Sequence, residues 1–68
     1  MINNLEAYKV FYYVAKCGSV TKAAGELSIS QPAVSQAIKQ LENTLDVALF
    51  HRAAKGVRLT GEGELLYS

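Results

Sequence analysis

The stretch from Ser19 to Leu45, SVTKAAGELSISQPAVSQAIKQLENTL, limits the fold more than any other part of the chain. It reads as two helices joined by a three-residue turn. In the second helix, at about 100° per residue, Val34, Ile38, Leu41 and Leu45 fall within roughly 60° of one another. So narrow an apolar stripe must be buried against other elements. On the other side lie Pro32, Gln36, Lys39 and Asn43, flanked by Ser35 and Gln40. An ordinary solvated helix face is rich in Glu–Lys pairs, and that remains the alternative for this side. What stands there is hydroxyls, amides and one lysine, with no acid before Glu42. Such groups donate to and accept from base edges without repelling phosphate.

The junction between the helices has its own chemistry. Ser30 is placed to N-cap the second helix, and Pro32 falls in its first turn, where a missing N–H costs nothing. Ser19 can cap a shorter helix running to Leu27, with Val20, Ala23, Ala24 and Leu27 turned inward. Ala23 and Ala24 are small where two helices must cross closely. Ile29, between Ser28 and Ser30, is expected to plug the angle between them. This layout is a helix-turn-helix.

The remaining segments complete the plan. After Met1 to Asn4, with Asn3 or Asn4 as the expected N-cap, a helix should run to about Lys16. Its apolar side is expected to carry Leu5, Tyr8, Phe11, Tyr12 and Ala15, with Val14 beside them. Tyr12 and Tyr13 invite comparison with the stacking platforms of single-strand binders, but no basic groove surrounds them, and half-burial against neighbouring helices is favoured. Cys17-Gly18 ends this helix, Gly18 taking the left-handed position. After Leu45, Asp46 is expected in a left-handed cap. Leu49 to Arg52 and Val57 to Thr60 read as two short strands around Ala53-Ala54-Lys55-Gly56, too short to stand without leaning on the helices. Thr60 then caps a last helix, with Glu62 and Glu64 at its positive end. The fold class is mainly α with a small β-hairpin: a winged helix-turn-helix with a three-helix core, a two-stranded wing and the start of a C-terminal helix, in one domain over residues 1–68.

Bulk properties exclude several functions. Half the residues are apolar and the net charge is +1, which suits a small globular domain better than a disordered coat. Charge is polarised rather than strongly basic: Val47 to Gly61 holds Arg52, Lys55 and Arg58 and no acid. The longest apolar run, Val10 to Ala15, is six residues, too short for a membrane span and without the form of a secretory leader. A cytoplasmic location, with no membrane partner, is the simplest expectation. Cys17 has no disulfide partner, one Cys and one His make no metal site, and neither GxGxxG nor GxxxxGK followed by Ser or Thr occurs. Catalysis is not expected: His51 is placed far along the fold from Cys17, with no acid beside it to orient the ring, and a partly exposed strand position or a phosphate contact is its expected place. No cofactor is expected. A winged helix used for protein contact is the other rival, and it predicts an apolar patch where Gln36, Lys39 and Asn43 stand.

Five segments stand in a telling order: Ala23-Ala24, Ser30-Gln-Pro-Ala-Val-Ser35, Ile38-Lys-Gln-Leu-Glu42, Leu49-Phe-x-Arg52 and Arg58-Leu-Thr-x-x-Gly63. From about Leu5 to Leu66 the chain closely resembles the N-terminal domain of LysR-type transcriptional regulators. The resemblance implies sequence-specific binding of double-stranded DNA, with the helix over about 31–45 in the major groove and the wing over 49–60 on the backbone or minor groove. The residues matching the reading surface are Gln31, Ser35 and Gln36 toward base edges, Pro32 and Ala33 toward a thymine methyl, and Lys39 toward a phosphate or guanine. Ser19, Thr21 and Lys22 would meet phosphates at the start of the shorter helix, and Arg52, Lys55 and Arg58 would lie along the backbone. Many members carry Arg where this chain has Gln36, and glutamine prefers adenine to guanine. The resemblance also implies that residues 59–68 begin a longer linker helix through which the full-length protein forms a homodimer, and that an effector-binding domain lies outside this chain.

Overall fold

The computed structural model describes residues 4–68. In order come α1 (Asn4–Cys17), α2 (Val20–Leu27), α3 (Gln31–Leu45), β1 (Phe50–Ala53), β2 (Gly56–Leu59) and α4 (Gly61–Tyr67). Helices α1, α2 and α3 surround one core, the two strands pair antiparallel, and α4 returns against α1. This is the winged helix-turn-helix expected from the sequence.

The caps sit where local chemistry puts them. The Ser19 Oγ accepts from the Lys22 N–H at 3.2 Å, and the Ser30 Oγ from the Ala33 N–H at 3.2 Å. The Thr60 Oγ1 accepts from the Gly63 N–H at 3.0 Å and donates to the Ala48 carbonyl at 2.6 Å, so one hydroxyl both starts α4 and ties it to the approach to β1. Gly18, Ser28 and Asp46 are left-handed, at φ 67°, 59° and 58°. The cap at Ser28 was not foreseen. Its N–H reaches back to the Ala24 and Gly25 carbonyls and stops α2 one residue before the turn. Asn4 lies within α1 rather than capping it, and Asn3 lies outside the described residues.

The inner face of α1 differs from the expectation. Ala7, Val10, Phe11 and Val14 are buried, while Leu5 is 78% exposed and Tyr8 and Tyr12 stay outside the core at 40% and 43% exposure. Weighting the large aromatics rotated the expected seam; the true one passes through Ala7, whose small side chain carries little hydrophobic signal but lets a helix approach closely. The tyrosines serve α4 instead. Tyr8 donates its hydroxyl to the Leu66 carbonyl at 3.2 Å, and the Tyr12 and Tyr67 rings lie 5.5 Å apart. Phe11, fully buried, gathers Phe50 and Tyr67 at ring separations of 5.3 and 6.4 Å.

In α3, Val34, Ile38 and Leu41 are buried as expected, but Leu45 is 44% exposed and Ala37 is buried in its stead. Leu45 is the last residue before the left-handed turn at Asp46, beyond the reach of the core. Ile29 does not plug the helix junction fully: it stays 38% exposed and lines a shallow cleft with Leu27, Val10, Glu6 and Lys9.

The hairpin is shifted toward its turn by one residue on each side relative to the expected strands, with Phe50 opposite Leu59, His51 opposite Arg58, Arg52 opposite Val57 and Ala53 opposite Gly56. Leu49, wholly buried, falls just outside β1 with its N–H given to the Glu42 carboxylate, and Thr60 leaves β2 to cap α4. The wing is fastened to the body at both strands. On β2, the Val57 N–H donates to the Gly18 carbonyl at 3.2 Å. Gly56, at φ 100°, passes so near that carbonyl that a Cβ would collide with it. On the β1 side, the Leu49 and Phe50 N–H groups donate to one Glu42 carboxylate oxygen at 2.7 and 3.3 Å. Gly63, buried in α4, likewise leaves no room for a Cβ against the Leu49 carbonyl and Leu59.

Candidate nucleic-acid interface

Burying Val34, Ala37, Ile38 and Leu41 turns the other side of α3 outward. Gln31, Pro32, Ser35, Gln36, Lys39 and Asn43 are all exposed, and Ala33 is half-buried. Counting from Pro32, Ser35, Gln36, Lys39 and Asn43 span about 100° of the helix, so they form one continuous strip. Gln40, at the flank, is half-buried. No apolar patch interrupts the strip.

The start of α2 carries the next candidate residues. Thr21 and Lys22 are exposed, and Ser19 is half-buried by its capping role. With its oxygen accepting from the Lys22 N–H, the Ser19 hydroxyl keeps its proton to donate. An aligned first turn and a lysine make this end of α2 attractive to a phosphate oxygen.

On the wing, Arg52, Lys55 and Arg58 are exposed, with Lys55 in the turn between the strands. The register divides them. Side chains alternate across a strand, so Arg58 shares a face with its cross-strand partner His51, while Arg52 shares the opposite face with Val57. The three cations therefore do not form one row. His51 is exposed on β1, the strand position expected for it, and stands beside Arg58. An open cleft of about 730 Å³ lies between the wing and the α1–α2 turn, lined by Cys17, Gly18, His51, Arg52, Lys55 and Arg58 among others. Cys17 and His51, expected to be far apart, thus line the same cleft, because the Gly18 carbonyl draws β2 onto the end of α1. The His51 Nδ1 lies 3.3 Å from the Arg52 carbonyl oxygen.

Glu42 is the other residue that sequence reasoning placed without purpose. It stands on α3 as an acid near the reading strip, but its carboxylate is turned to the backbone of the approach to β1. Nothing along the chain announces this, because the acceptor and its donors are seven and eight residues apart and meet only when the chain doubles back after Asp46.

The model of the bacterial regulatory helix-turn-helix protein, lysR family, matches residues 5–64. The chain belongs to the LysR family. Among its relatives is the HTH-type transcriptional regulator PerR of Escherichia coli strain K12, 44% identical over 62 residues, covering 91% of this chain and 21% of PerR. The chain spans about a fifth of the length of the curated relatives it matches. In three dimensions, this LysR-type domain is similar to CbnR in a crystallised complex of its DBD with DNA (TM-score 0.87, 32% identity, 97% of this chain and 75% of that one). It is also similar to a LysR-family transcriptional regulator from Eggerthella lenta DSM 2243 (TM-score 0.84, 41% identity, 97% of this chain and 91% of that one). Among the described residues of the LysR-type domain, no helix is long and apolar enough to cross a membrane.

Proposed function

We propose that this chain binds double-stranded DNA as the sequence-reading domain of a transcriptional regulator and is not an enzyme. The observation that carries the reading is the exposed, acid-free strip of α3 formed by Gln31, Pro32, Ser35, Gln36, Lys39 and Asn43, in a domain whose hairpin exposes Arg52, Lys55 and Arg58. An α-helix fits the major groove, and amides and hydroxyls at its N-terminal half are the groups that discriminate bases there. In this reading Gln31, Ser35 and Gln36 meet base edges, Pro32 and Ala33 a thymine methyl, and Lys39 a guanine or phosphate. Ser19, Thr21 and Lys22 grip the backbone from one side of the groove, and Arg52, Lys55 and Arg58 from the wing. Phosphate contacts fix the register in which the amides read. The DNA in the CbnR complex and the regulator names of the relatives support the assignment.

The full-length protein would pair through a helix continuing α4 and act in the cytoplasm on the nucleoid. Leu65 on α4 is 79% exposed, an apolar side chain left uncovered on that helix, which supports a partner there. Selection of bound sequences from a random duplex library tests the central claim. A recovered consensus with adenine at one half-site position is expected from Gln36. Recovery of random sequence with a salt-independent affinity would exclude base reading and phosphate contact together.

A further inference from the structure

We infer that Glu42 is a positioning residue for duplex binding: without touching DNA, it ties the first wing strand to α3 and so sets where the wing cations stand relative to the reading strip. The inference rests on the DNA-binding reading above. It goes beyond that reading by giving an acid of α3 a favourable part in binding a polyanion.

Glu42 stands on the border of two faces of α3. By helical period it lies about 40° from Ile38 in the buried seam and about 60° from Lys39 in the exposed strip. It is half-buried, and an open cleft of about 340 Å³ brings it together with Lys39 and Asn43 of the strip and Val47 and Ala48 of the approach to β1. Charge alone makes an acid in that place a liability, since it repels the phosphates that Lys39 attracts. Its carboxylate is engaged elsewhere. One oxygen accepts from the Leu49 N–H at 2.7 Å and from the Phe50 N–H at 3.3 Å, and a charged acceptor makes such bonds stronger than a neutral one does.

Phe50 is the first residue of β1 and Leu49 precedes it, so the link grips the hairpin at its root. The other strand is gripped by backbone, the Val57 N–H donating to the Gly18 carbonyl at 3.2 Å on the turn into α2. Fastenings on both strands fix the roll of a two-stranded ribbon; a fastening on one leaves a pivot. The burial of Leu49 and the contact between the Phe11 and Phe50 rings hold the root down without fixing that roll, because apolar contact is non-directional and N–H bonds are not. With Glu42 released, the hairpin turns about the Gly18 contact. Lys55, beyond the last pair of Ala53 and Gly56, then moves farthest. The wing holds its binding orientation for only part of the time, and affinity falls by that fraction.

Position and charge predict opposite signs. Acting through charge alone, Glu42 would weaken binding: its loss would tighten the complex, and Glu42→Asp would change nothing. The test measures Kd and its salt dependence for the 68-residue chain on a labelled random-sequence duplex, each variant first shown to be folded by circular dichroism. Glu42→Asp, one methylene too short for both N–H groups, should bind roughly three- to tenfold more weakly, with a flatter salt slope. Glu42→Gln, whose amide oxygen has the full reach, should restore most of the affinity. The deciding measurement is a cycle with a wing carrying Arg52→Gln, Lys55→Gln and Arg58→Gln together. Neutralising the wing should cost at least about threefold less beside Glu42→Asp than in wild type. A general loss of stability produces no such coupling. If Glu42→Asp does not fold, the cycle is run with Glu42→Gln, where the coupling should have the same sign and be smaller. Additive losses, a Glu42→Asp chain that binds as wild type does, or a wing whose neutralisation costs wild type nothing would each overturn the inference and leave DNA binding intact. A wild-type chain that binds no duplex would overturn both.

Discussion

In the proposed function helix α3 and the wing meet the same duplex, yet they are built in opposite ways. Helix α3 is held by side chains: Val34, Ala37, Ile38 and Leu41 are buried against α1 and α2, so its exposed strip sits on a rigid support. The hairpin is held mainly by backbone. Leu49 is its one fully buried neighbour, Phe50, Val57 and Leu59 are half-buried, and its position depends on hydrogen bonds to the Gly18 carbonyl and the Glu42 carboxylate. Base reading needs side chains presented to within fractions of an ångström, which close packing supplies. Phosphate gripping tolerates more play, because long Lys and Arg side chains adjust and the attraction is weakly directional. The difference in construction thus follows the difference in task.

The largest effect should come from removing the support of α3. Leu41→Ala deletes a buried side chain in a small domain, and large-to-small changes of this kind cost about 2–5 kcal/mol. Chains of this size have little stability to lose, so the whole domain, not one edge, is expected to unfold in urea at much lower denaturant. A loss under about 1 kcal/mol would mean that α3 is not the keystone.

How far the sequence already contained this picture depends on the range of the interaction. Caps are local, a side chain meeting an N–H three residues on, so Ser19, Ser30 and Thr60 were legible along with the turns at Gly18 and Asp46. The outward strip of α3 was legible from helical period alone. The seam of α1 was legible at Phe11 and Val14 only, because Ala7 is nearly silent in a hydrophobic pattern and Leu5 and Tyr12 are loud. The wing was harder still. Which face Arg52, Arg58 and His51 take depends on a one-residue register, and a slip of one exchanges the faces. The Glu42 link depends on a reversal of the chain that no period encodes.

That link is the next point at which to press the comparison. Glu42→Ala leaves the Leu49 and Phe50 N–H groups without their acceptor, at a cost of about 1–3 kcal/mol. Amide exchange should accelerate at Leu49, Phe50 and across the hairpin, with little change at the α1–α3 core. Uniform acceleration would show that wing and helix open as one unit.

On the helix side, Gln36→Ala should remove about 1–3 kcal/mol of discrimination at one base pair while leaving nonspecific binding in place. The comparison is between a selected duplex and its scrambled counterpart. Equal losses on both would move Gln36 from the reading set to the gripping set.

The smallest effect, and the cleanest counterpart, is expected at the wing tip. Lys55 sits in the turn, exposed, with its charge carried on a flexible stem beyond the last strand pair. If it contacts one phosphate, Lys55→Ala releases about one fewer counterion, and the slope of log affinity against log salt falls by about 1. Because a phosphate carries no sequence information, the loss must be the same on selected and scrambled duplexes. Gln36→Ala should do the reverse, changing discrimination and sparing the slope. An unchanged slope for Lys55→Ala takes the tip off the DNA. It would leave the grip of the hairpin to Arg52 and Arg58 on its two faces.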